Sequence, residues 1–547
     1  MQKMNNKDIK KINYYRYILP AIWGISILTG LTYYKINYGI QLMQSDTASD
    51  ILYAHLLSSE RSLISDNWIF STELIIFDNK LLFALLFQLF PQLGWWEIET
   101  IGSVIMWIIM GLVNVWLAHE LRLGYKSLWM FGFSLLPYGK SEYYYVLMQG
   151  CGYYIITSIK VVIILSLFLF IINHTNENKI KLNISYICFW GLSFLIGVQG
   201  MRLLANLYAP LLLSSLALCW YEFYSGNKNF DMKDLILYVK KNRMLLSAFS
   251  GTCMAVIGYA VNFLILAKKY TWQTTHLQWK NLLIEPVIIF LEEVLTNLGY
   301  VKGENLFSFG GFANLFSLVI FVLVLFSLIA GCRKSEIFRK DRFIICFFIM
   351  ASLLHLFIYV FLQKKYKDRY MLPFFMLLPP IILLVTENWK KGIRKTVILI
   401  IAVSSIITSI NVVHYWHLRG NHQDINISKQ QEMADFLVNN GYEYGFATFW
   451  YCNSTIQLSN GKLDICPLKS TAKFEKYQWL CTKEEIDYKW SDKIFFIVSD
   501  EQLKEGKEMA WNQKDKIIWH DGGIYVFGYD SVADLQNAFT NKKAKEG

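Results

Sequence analysis

Two aspartates four residues apart, Asp46 and Asp50, are the first residues of the chain whose spacing could support catalysis. They lie in SDTASDILYAHLLSSERSLISDNWIFSTEL, residues 45–74, and a spacing of four places two side chains on one face of a helix. The apolar residues after Asp50 favour a helix lying along a membrane surface. A carboxylate partly withdrawn from water there has a raised pKa and can act as a general base. The same acids could be the solvated face of a loop, and the spacing leaves both interpretations open.

Four basic residues, Lys364, Lys365, Lys367 and Arg369, precede a late apolar stretch in QKKYKDRYMLPFFMLLPP, residues 363–380. Lysine and arginine bind phosphate oxygens, so this cluster could hold the phosphate of a lipid. Long basic side chains at the end of a span also extend toward the interface without binding any ligand. Both interpretations stay open.

Two further charged residues stand next to apolar stretches. Arg202, in GVQGMRLLANLYAPLLL, could form a structural ion pair with a loop carboxylate or contact a ligand, because an arginine at such a depth usually finds a partner. Glu142 is the only acid in LLPYGKSEYYYVLMQGCGYY. The neighbouring tyrosines could line a sugar site or belong to the aromatic belt of the membrane interface.

The elements that must position these residues are membrane helices. Of the 547 residues, 54% are hydrophobic and 17% are charged, whereas a soluble domain has about 25% charged residues. Apolar runs of about 20 residues recur along the chain, which predicts an all-α polytopic membrane domain over 1–414. We predict eleven spans, at 17–33, 98–120, 127–138, 151–172, 183–198, 203–220, 244–266, 312–331, 343–362, 370–388 and 396–414. The first run follows a basic start but lacks a small-x-small cleavage site, so we expect it to remain as a span.

The distribution of basic residues predicts the orientation. With the N-terminus inside, the inner segments contain 23 Lys and Arg and the outer loops before the tail contain 13, although the outer loops are longer. Positive charge concentrates on the cytoplasmic side of membrane proteins. The outer loop 34–97, with interfacial helices that include the apolar segment 81–91, and the C-terminal tail are therefore predicted to be extracytoplasmic.

The tail, residues 415–547, changes in character, with 16 basic against 19 acidic residues. ISKQQEMADFLVNNGY has helical spacing and ends in Asn440-Gly441, whereas YGFATFW, KIFFIVS and GGIYVFGY are typical of short strands. We expect a small α/β domain, in which one disulfide among Cys452, Cys466 and Cys481 could form. The net charge of +11 comes without a nucleic-acid-binding motif, so a membrane surface, and not nucleic acid, is the expected partner.

Together these features resemble the GT-C glycosyltransferases, a group that includes protein O-mannosyltransferases and lipid A aminoarabinose transferases. The residues that carry the resemblance are Asp50 with the following ILYAHLL, the stretch WIFSTE from Trp68 to Glu73, Glu142 in the second outer loop, and Arg369-Tyr370-x-x-Pro373. An extracytoplasmic domain after the last span also matches. Many relatives have adjacent acids in the first loop, whereas Ser49 precedes Asp50 here, which leaves open whether Asp50 or Asp46 is the base.

The resemblance implies an inverting transfer of a sugar from a polyprenyl-phosphate-linked donor to a glycan, lipid or protein of a bacterial cell envelope. Asp50 or Asp46 would deprotonate the acceptor. The basic cluster and Arg202 would bind the donor phosphate, and Glu142, Tyr370, Trp68 and Glu73 would contact substrate. Some relatives bind a divalent metal such as Mg²⁺ or Mn²⁺ and others need none, and the sequence leaves this open.

The alternative function is a transporter or flippase of a lipid-linked saccharide, which could use the same basic cluster. Transporters commonly place their binding groups near the membrane midplane in repeated halves. This sequence instead gathers its acids and bases at one predicted surface and shows no convincing internal repeat. A non-catalytic envelope scaffold would need neither Asp50 nor the basic cluster.

Overall fold

The computed structural model describes residues 6–72, 74–136, 153–174, 179–226, 232–272, 279, 284–333, 339–362, 368–387, 389–420, 426–487 and 492–540. The helices before the tail are α1 Asn6–Tyr38, α2 Ser45–Glu60, α3 Asn79–Leu89, α4 Trp95–Glu120, α5 Trp129–Leu135, α6 Tyr153–Asn173, α7 Lys179–Val198, α8 Ala209–Gly226, α9 Met232–Lys241, α10 Arg243–Leu264, α11 Glu285–Asn297, α12 Phe309–Arg333, α13 Arg339–Phe361, α14 Leu372–Phe375, α15 Leu378–Thr386 and α16 Lys391–Gly420. Those of the tail are α17 Ile427–Asn439, α18 Phe449–Leu458, α19 Lys483–Asp487, α20 Asp500–Glu505 and α21 Val532–Thr540. The strands are β1 Trp68–Phe70, β2 Thr271–Trp272, β3 Tyr444–Thr448, β4 Asp464–Leu468, β5 Cys481–Thr482, β6 Ile494–Ser499, β7 Ile517–Asp521 and β8 Ile524–Tyr529.

Nine helices among these described ranges are long and apolar enough to cross a membrane. They correspond to nine of the eleven predicted spans. The other two predictions differ. At 127–138 the structure has the short helix α5, and at 370–388 the apolar stretch is broken into α14 and α15. Prolines explain the break, because Pro373 and Pro379 each stand at the start of a helix, where proline is tolerated, and not in a helix interior.

Contacts within the chain divide it into two compact units. The first, called here the helical unit, comprises Met1–Tyr33, Val104–Ile265 and His276–Trp416. The second, called the mixed unit, comprises Tyr34–Ser103, Leu266–Thr275 and His417–Gly547. The acidic loop and the C-terminal tail therefore belong to the same unit.

The helical unit is held together by apolar packing between helices. Helices α7 and α10 approach so closely that a Cβ on Gly197 would lie 1.9 Å from the Ala255 carbonyl oxygen, and one on Gly258 would lie 2.1 Å from that of Phe194. Small residues at such crossings let the backbones of membrane helices touch. The side chain of Asn262 then donates a hydrogen bond of 2.5 Å to the Val198 carbonyl across the same contact.

The mixed unit contains two sheets. The larger has the strand order β4-β3-β6-β8-β7. Strands β4, β3 and β6 pair in parallel, whereas β8 pairs antiparallel with both of its neighbours, β6 and β7. The three predicted strand segments correspond to β3, β6 and β8, and the predicted helix corresponds to α17, followed by Gly441 at a φ of 70°. Cys452, Cys466 and Cys481 are all free thiols, so the possible disulfide does not form in this structure.

The smaller sheet joins three remote parts of the sequence. Strand β1 of the acidic loop pairs in parallel with β2 and antiparallel with β5 of the tail. Helix α2 also packs against α18, where the Ser45 and Ser454 hydroxyls lie 3.5 Å apart. A buried ion pair of 2.5 Å between Lys35 and Glu99 adds to this unit, and the Gln457 amide donates a bond of 2.6 Å to the same carboxylate. The acidic loop and the tail are thus one packed structure.

Candidate active site

Helix α2 presents the two candidate bases in different environments. The helix begins with a capping box between Gln44 and Thr47, which fixes its first turn. Asp46 lies in that turn, and its side chain is exposed. It nevertheless interacts with another group of the protein. Asp50, one turn later, has a side chain that is 16% exposed and lies against α3. The spacing of four thus gives one carboxylate in water and one at a partly buried contact.

Asp50 forms an ion pair with Lys80, which also pairs with a second carboxylate. The Lys80 ammonium is 3.0 Å from Asp50 Oδ1 and 2.9 Å from Asp78 Oδ2, and its side chain is 10% exposed. Asp78 is the N-cap of α3 and accepts a 2.9 Å bond from the Asn79 backbone N–H. The Asn79 side chain forms a further hydrogen bond with Asp50. The carboxylate is therefore held by a local network in α3.

Burial raises the pKa of Asp50 above its ordinary value, and the charge of Asp78 adds to this, while Lys80 acts in the opposite direction. For Lys80, burial lowers the pKa, but the two carboxylates outweigh burial and raise it above the ordinary value. Lys80 therefore stays charged. A carboxylate with a raised pKa is a better proton acceptor than an ordinary aspartate, as a general base requires.

Trp68 and Tyr53 fix the position of α2 on the small sheet. Their rings stack with centroids 5.1 Å apart, and Phe70 meets the Tyr53 ring edge-on at 5.4 Å. Trp68 is 1% exposed. In this structure the indole is thus a packing group behind the helix that carries Asp50, and its predicted contact with substrate stays a prediction.

Arg202 lies among aromatic rings of the helical unit. Its guanidinium is 6.0 Å from the ring centre of Tyr154 and 5.9 Å from that of Tyr370, and the two rings are 6.0 Å apart. Contacts of this kind stabilise a cation. The structure therefore brings Arg202 and Tyr370 together, as two of the predicted site residues.

Several predicted site residues cannot be placed. Glu73, Glu142, Lys364, Lys365 and Lys367 lie outside the described residues, and Arg369 is described only by its backbone, in the turn Asp368–Met371. Their roles stay predictions.

Sequence reasoning missed Lys80 and Asp78. The signal was present as Asp78-Asn79-Lys80 immediately before the apolar run 81–91, because aspartate is a preferred residue at a helix start. What the sequence did not indicate is the partner of Lys80, which lies 30 residues earlier in a different helix.

The divalent metal considered from the sequence stays an open question. Within the described ranges, no group of three or more His, Cys, Asp or Glu side chains could hold a metal ion. A cation already stands between the two carboxylates of the network, since the ammonium of Lys80 contacts both Asp50 and Asp78.

Similarity to known proteins is found among solved structures. No protein-family model matches the sequence, and no curated protein matches it. ArnT from Cupriavidus metallidurans in the apo state superposes with a TM-score of 0.55 at 10% identity, covering 93% of this chain and 97% of that chain. The chain has an ArnT-like fold. ArnT bound to undecaprenyl phosphate gives the same TM-score and coverage at 9% identity. The Archaeoglobus fulgidus oligosaccharyltransferase in the apo form has a TM-score of 0.45 at 10% identity, covering 89% of this chain and 70% of that chain.

The ArnT likeness confirms the fold class predicted from the sequence, a polytopic helical membrane protein followed by a mixed α/β region. It also agrees with the fold that the GT-C resemblance implies. At this level of identity the likeness concerns the fold, and the roles of individual residues have to be argued from their own geometry.

Proposed function

We propose that the protein is a membrane glycosyltransferase that transfers a sugar from a polyprenyl-phosphate-linked donor to a cell-envelope acceptor on the extracytoplasmic side of a bacterial membrane. The observation that carries the proposal is the Asp50–Lys80–Asp78 network. It puts a proton acceptor beside a fixed cation, on an acidic loop of a chain with an ArnT-like fold. The ArnT structure bound to undecaprenyl phosphate supports a lipid phosphate as the donor class.

The reaction is a single displacement at the anomeric carbon. The Asp50 carboxylate takes the proton of the acceptor group as its oxygen forms a bond to that carbon. The bond between the anomeric carbon and the phosphate oxygen breaks, and the polyprenyl phosphate leaves with the electron pair. Attack from the face opposite the leaving group inverts the configuration. No step requires a redox partner.

The leaving phosphate gains negative charge, so fixed cations accelerate its departure. Lys80 suits this role because it is held by two carboxylates. A phosphate that replaces Asp50 as its partner leaves Lys80 anchored to Asp78, and the same exchange frees Asp50 to accept a proton. In the helical unit, Arg202, whose guanidinium lies 6.0 Å from the ring centre of Tyr154 and 5.9 Å from that of Tyr370, is proposed as a donor-binding residue. The GT-C resemblance likewise assigns Lys364, Lys365, Lys367 and Arg369 to binding of the donor phosphate.

The proposal is tested with purified full-length protein, radiolabelled polyprenyl-phosphate sugars and envelope acceptors. We expect Asp50→Asn to lower the transfer rate by about 10²- to 10⁴-fold, the contribution typical of a general base. Asp66→Asn is the matched control, because Asp66 lies in the same loop but is 60% exposed and pairs with Lys269 only at 3.6 Å. We expect it to transfer at the wild-type rate.

Three outcomes would contradict parts of the proposal. If Asp46→Asn and not Asp50→Asn abolishes transfer, the base is Asp46. If both variants transfer as well as wild type, neither carboxylate is the base. If no donor is transferred while proteoliposomes move the lipid-linked saccharide across the bilayer, the protein is a transporter.

A further inference from the structure

Three aromatic side chains of the tail are called here the aromatic shelf, namely the exposed Trp450 and the half-buried Tyr477 and Trp479. Trp450 is 50% exposed, which is unusual for tryptophan in a folded domain. The rings of Tyr477 and Trp479 are nearly parallel, with an interplanar angle of 6° and centroids 6.0 Å apart. Phe449 contacts both parts of the shelf, at 5.5 Å from Trp450 and 6.0 Å from Tyr477.

The backbone around the shelf is fixed. The Tyr477 N–H donates a 2.7 Å bond to the Pro467 carbonyl at the edge strand β4, and the Trp479 N–H donates a 2.9 Å bond to the Tyr477 carbonyl. Leu480, which follows, has a φ of 49°, a conformation that a leucine rarely adopts. A strained residue is kept where the surrounding structure holds it. The rings are therefore presented in a defined arrangement.

A single amide ties the shelf to the helix that carries the acidic residues. The Asn453 side chain donates to the Leu480 carbonyl at 3.0 Å and to the Ser45 carbonyl at 3.3 Å. The first of these carbonyls follows Trp479, and the second precedes Asp46. Burial, and then the negative charge of Asp46, raise the pKa of Tyr477, which agrees with a carboxylate close to the phenol.

Flat apolar rings beside a carboxylate are suited to bind a saccharide. A sugar ring has one face of C–H groups, which packs on an aromatic ring, and hydroxyls at its edge, which donate hydrogen bonds to a carboxylate. An aromatic surface that contacts only lipid does not need a carboxylate near it. A charged pair also lies near the shelf, because Lys469, whose charge acts to lower the pKa of Tyr477, pairs with Glu475.

We infer that the aromatic shelf and Asp46 bind a saccharide ring of the acceptor, so that the C-terminal region selects glycan-bearing acceptors. This inference rests on the proposed function, since it names the acceptor class for the same reaction. It also gives Asp46 a role that differs from that of Asp50. Asp46 would hold an acceptor hydroxyl, and Asp50 would remove the proton.

Direct binding to the full-length protein is measured by saturation-transfer difference NMR with three soluble probes: chitotetraose, mannotetraose and a lipopolysaccharide core oligosaccharide. We expect at least one probe to bind, and Trp450→Ala and Trp479→Ala each to weaken its binding by about tenfold. Trp450→Phe keeps a ring and should lose less. The matched control is Trp519→Ala, which removes a half-buried indole from β7, at the opposite edge of the sheet from β4.

Transfer kinetics provide the second readout. In Trp450→Ala and Trp479→Ala we expect the KM for acceptor to rise by about tenfold, with the KM for donor unchanged. A structural role alone would change both KM values together.

The inference is wrong if no probe binds, if the tryptophan variants bind or transfer like wild type, or if the tryptophan variants lose only their association with phosphatidylglycerol vesicles. The last result would make the shelf a membrane contact. The experiments distinguish a failure of this inference from a failure of the proposed function. Saccharide binding without any transfer would support the shelf as a binding site and refute the glycosyltransferase function. Transfer that the shelf variants do not change would support the glycosyltransferase function and refute the shelf as a binding site.

Discussion

Replacing Lys80 by methionine should destabilise the mixed unit, because its ammonium contacts both Asp50 and Asp78. At the observed distances of 3.0 and 2.9 Å, each attraction is worth about 5 to 6 kcal/mol with an effective dielectric constant of about 20. The cost of burying the charges offsets much of this. Breaking a buried pair typically costs about 3–5 kcal/mol, so we expect Lys80→Met to lower the free energy of unfolding by that amount.

The loss has a second origin that a double variant can isolate. Without Lys80 the two carboxylates are at most about 6 Å apart, where two like charges repel by about 3 kcal/mol. Adding Asp78→Asn to Lys80→Met removes this repulsion. The double variant should therefore regain about 2–3 kcal/mol, although Asp78→Asn alone should be destabilising.

The assay is pulse proteolysis in urea of the full-length protein in micelles, with fragments of the mixed unit followed by antibody. Lys429→Met is the matched control, since Lys429 also lies between two carboxylates, Glu432 and Asp521, each at 2.8 Å, but at the surface. Its loss should be much smaller. If Lys80→Met costs no more than Lys429→Met, or if Asp78→Asn restores nothing, the network is screened by solvent and the argument for a fixed cation fails.

Three further predictions concern other parts of the chain. Glu99→Gln should lower the free energy of unfolding by about 3–5 kcal/mol because it removes the charged partner of the buried Lys35. Adding Lys35→Met to Glu99→Gln should restore part of that loss, and a Glu99→Gln variant as stable as wild type would contradict this. Arg202→Lys keeps the charge but loses the guanidinium that lies beside two rings, so the KM for donor should rise by about three- to tenfold while unfolding changes little; an unaltered KM would exclude Arg202 from the donor site. Burial raises the pKa of Glu485 to about 8, so its protonated form stabilises the fold below about pH 4.5 and that stability is lost as the pH rises through 8. Glu485→Gln should therefore unfold with less pH dependence between pH 5 and 9 and be more stable than wild type by up to about 5 kcal/mol at pH 9. The same pH dependence of unfolding in variant and wild type would refute this.

The membrane-spanning helices could be predicted from the sequence where hydropathy alone determines them. The predicted spans at 98–120 and 244–266 correspond to helices α4 and α10 because an apolar run of this length has few other stable arrangements in a membrane. The stretch 370–388 is equally apolar, but its prolines favour helix starts over a continuous helix. For this stretch the composition correctly indicated an apolar environment, whereas the prolines determined where the helix is interrupted.

The tail shows the same limits on a smaller scale. β3 was predicted as YGFATFW, but the strand ends at Thr448 and Phe449 begins a helix, because an aromatic residue fits either element. The edge strand β7 was missed, since it is half-exposed and ends in His520-Asp521, without a clear alternation. Strands of two or three residues, such as β2 and β5, have no pattern that could be recognised.

The candidate site shows why partners are harder to predict than residues. Asp50 stood out because its spacing from Asp46 depends only on the helix repeat. Its pairing with Lys80 depends on how α2 packs on α3, and no local spacing encodes that packing. The sequence could not decide whether Asp50 or Asp46 is the base, because burial distinguishes the two carboxylates and burial is a property of the folded unit.

The small sheet that supports the acidic loop also limits when this loop can fold during biosynthesis. Ser45 and its partner Ser454 are 409 residues apart, and at about 5–20 residues per second the ribosome needs about 20 to 80 seconds to make the intervening chain. During that interval strand β1 lacks its antiparallel neighbour β5, and helix α2 lacks the packing of α18. The loop that carries Asp50 can therefore reach its final form only after the last candidate span and most of the tail have been synthesised. A chain that ends after the last candidate span but before residue 482 would contain Asp50 without strand β5. Such a truncation should abolish function even though every candidate span is present.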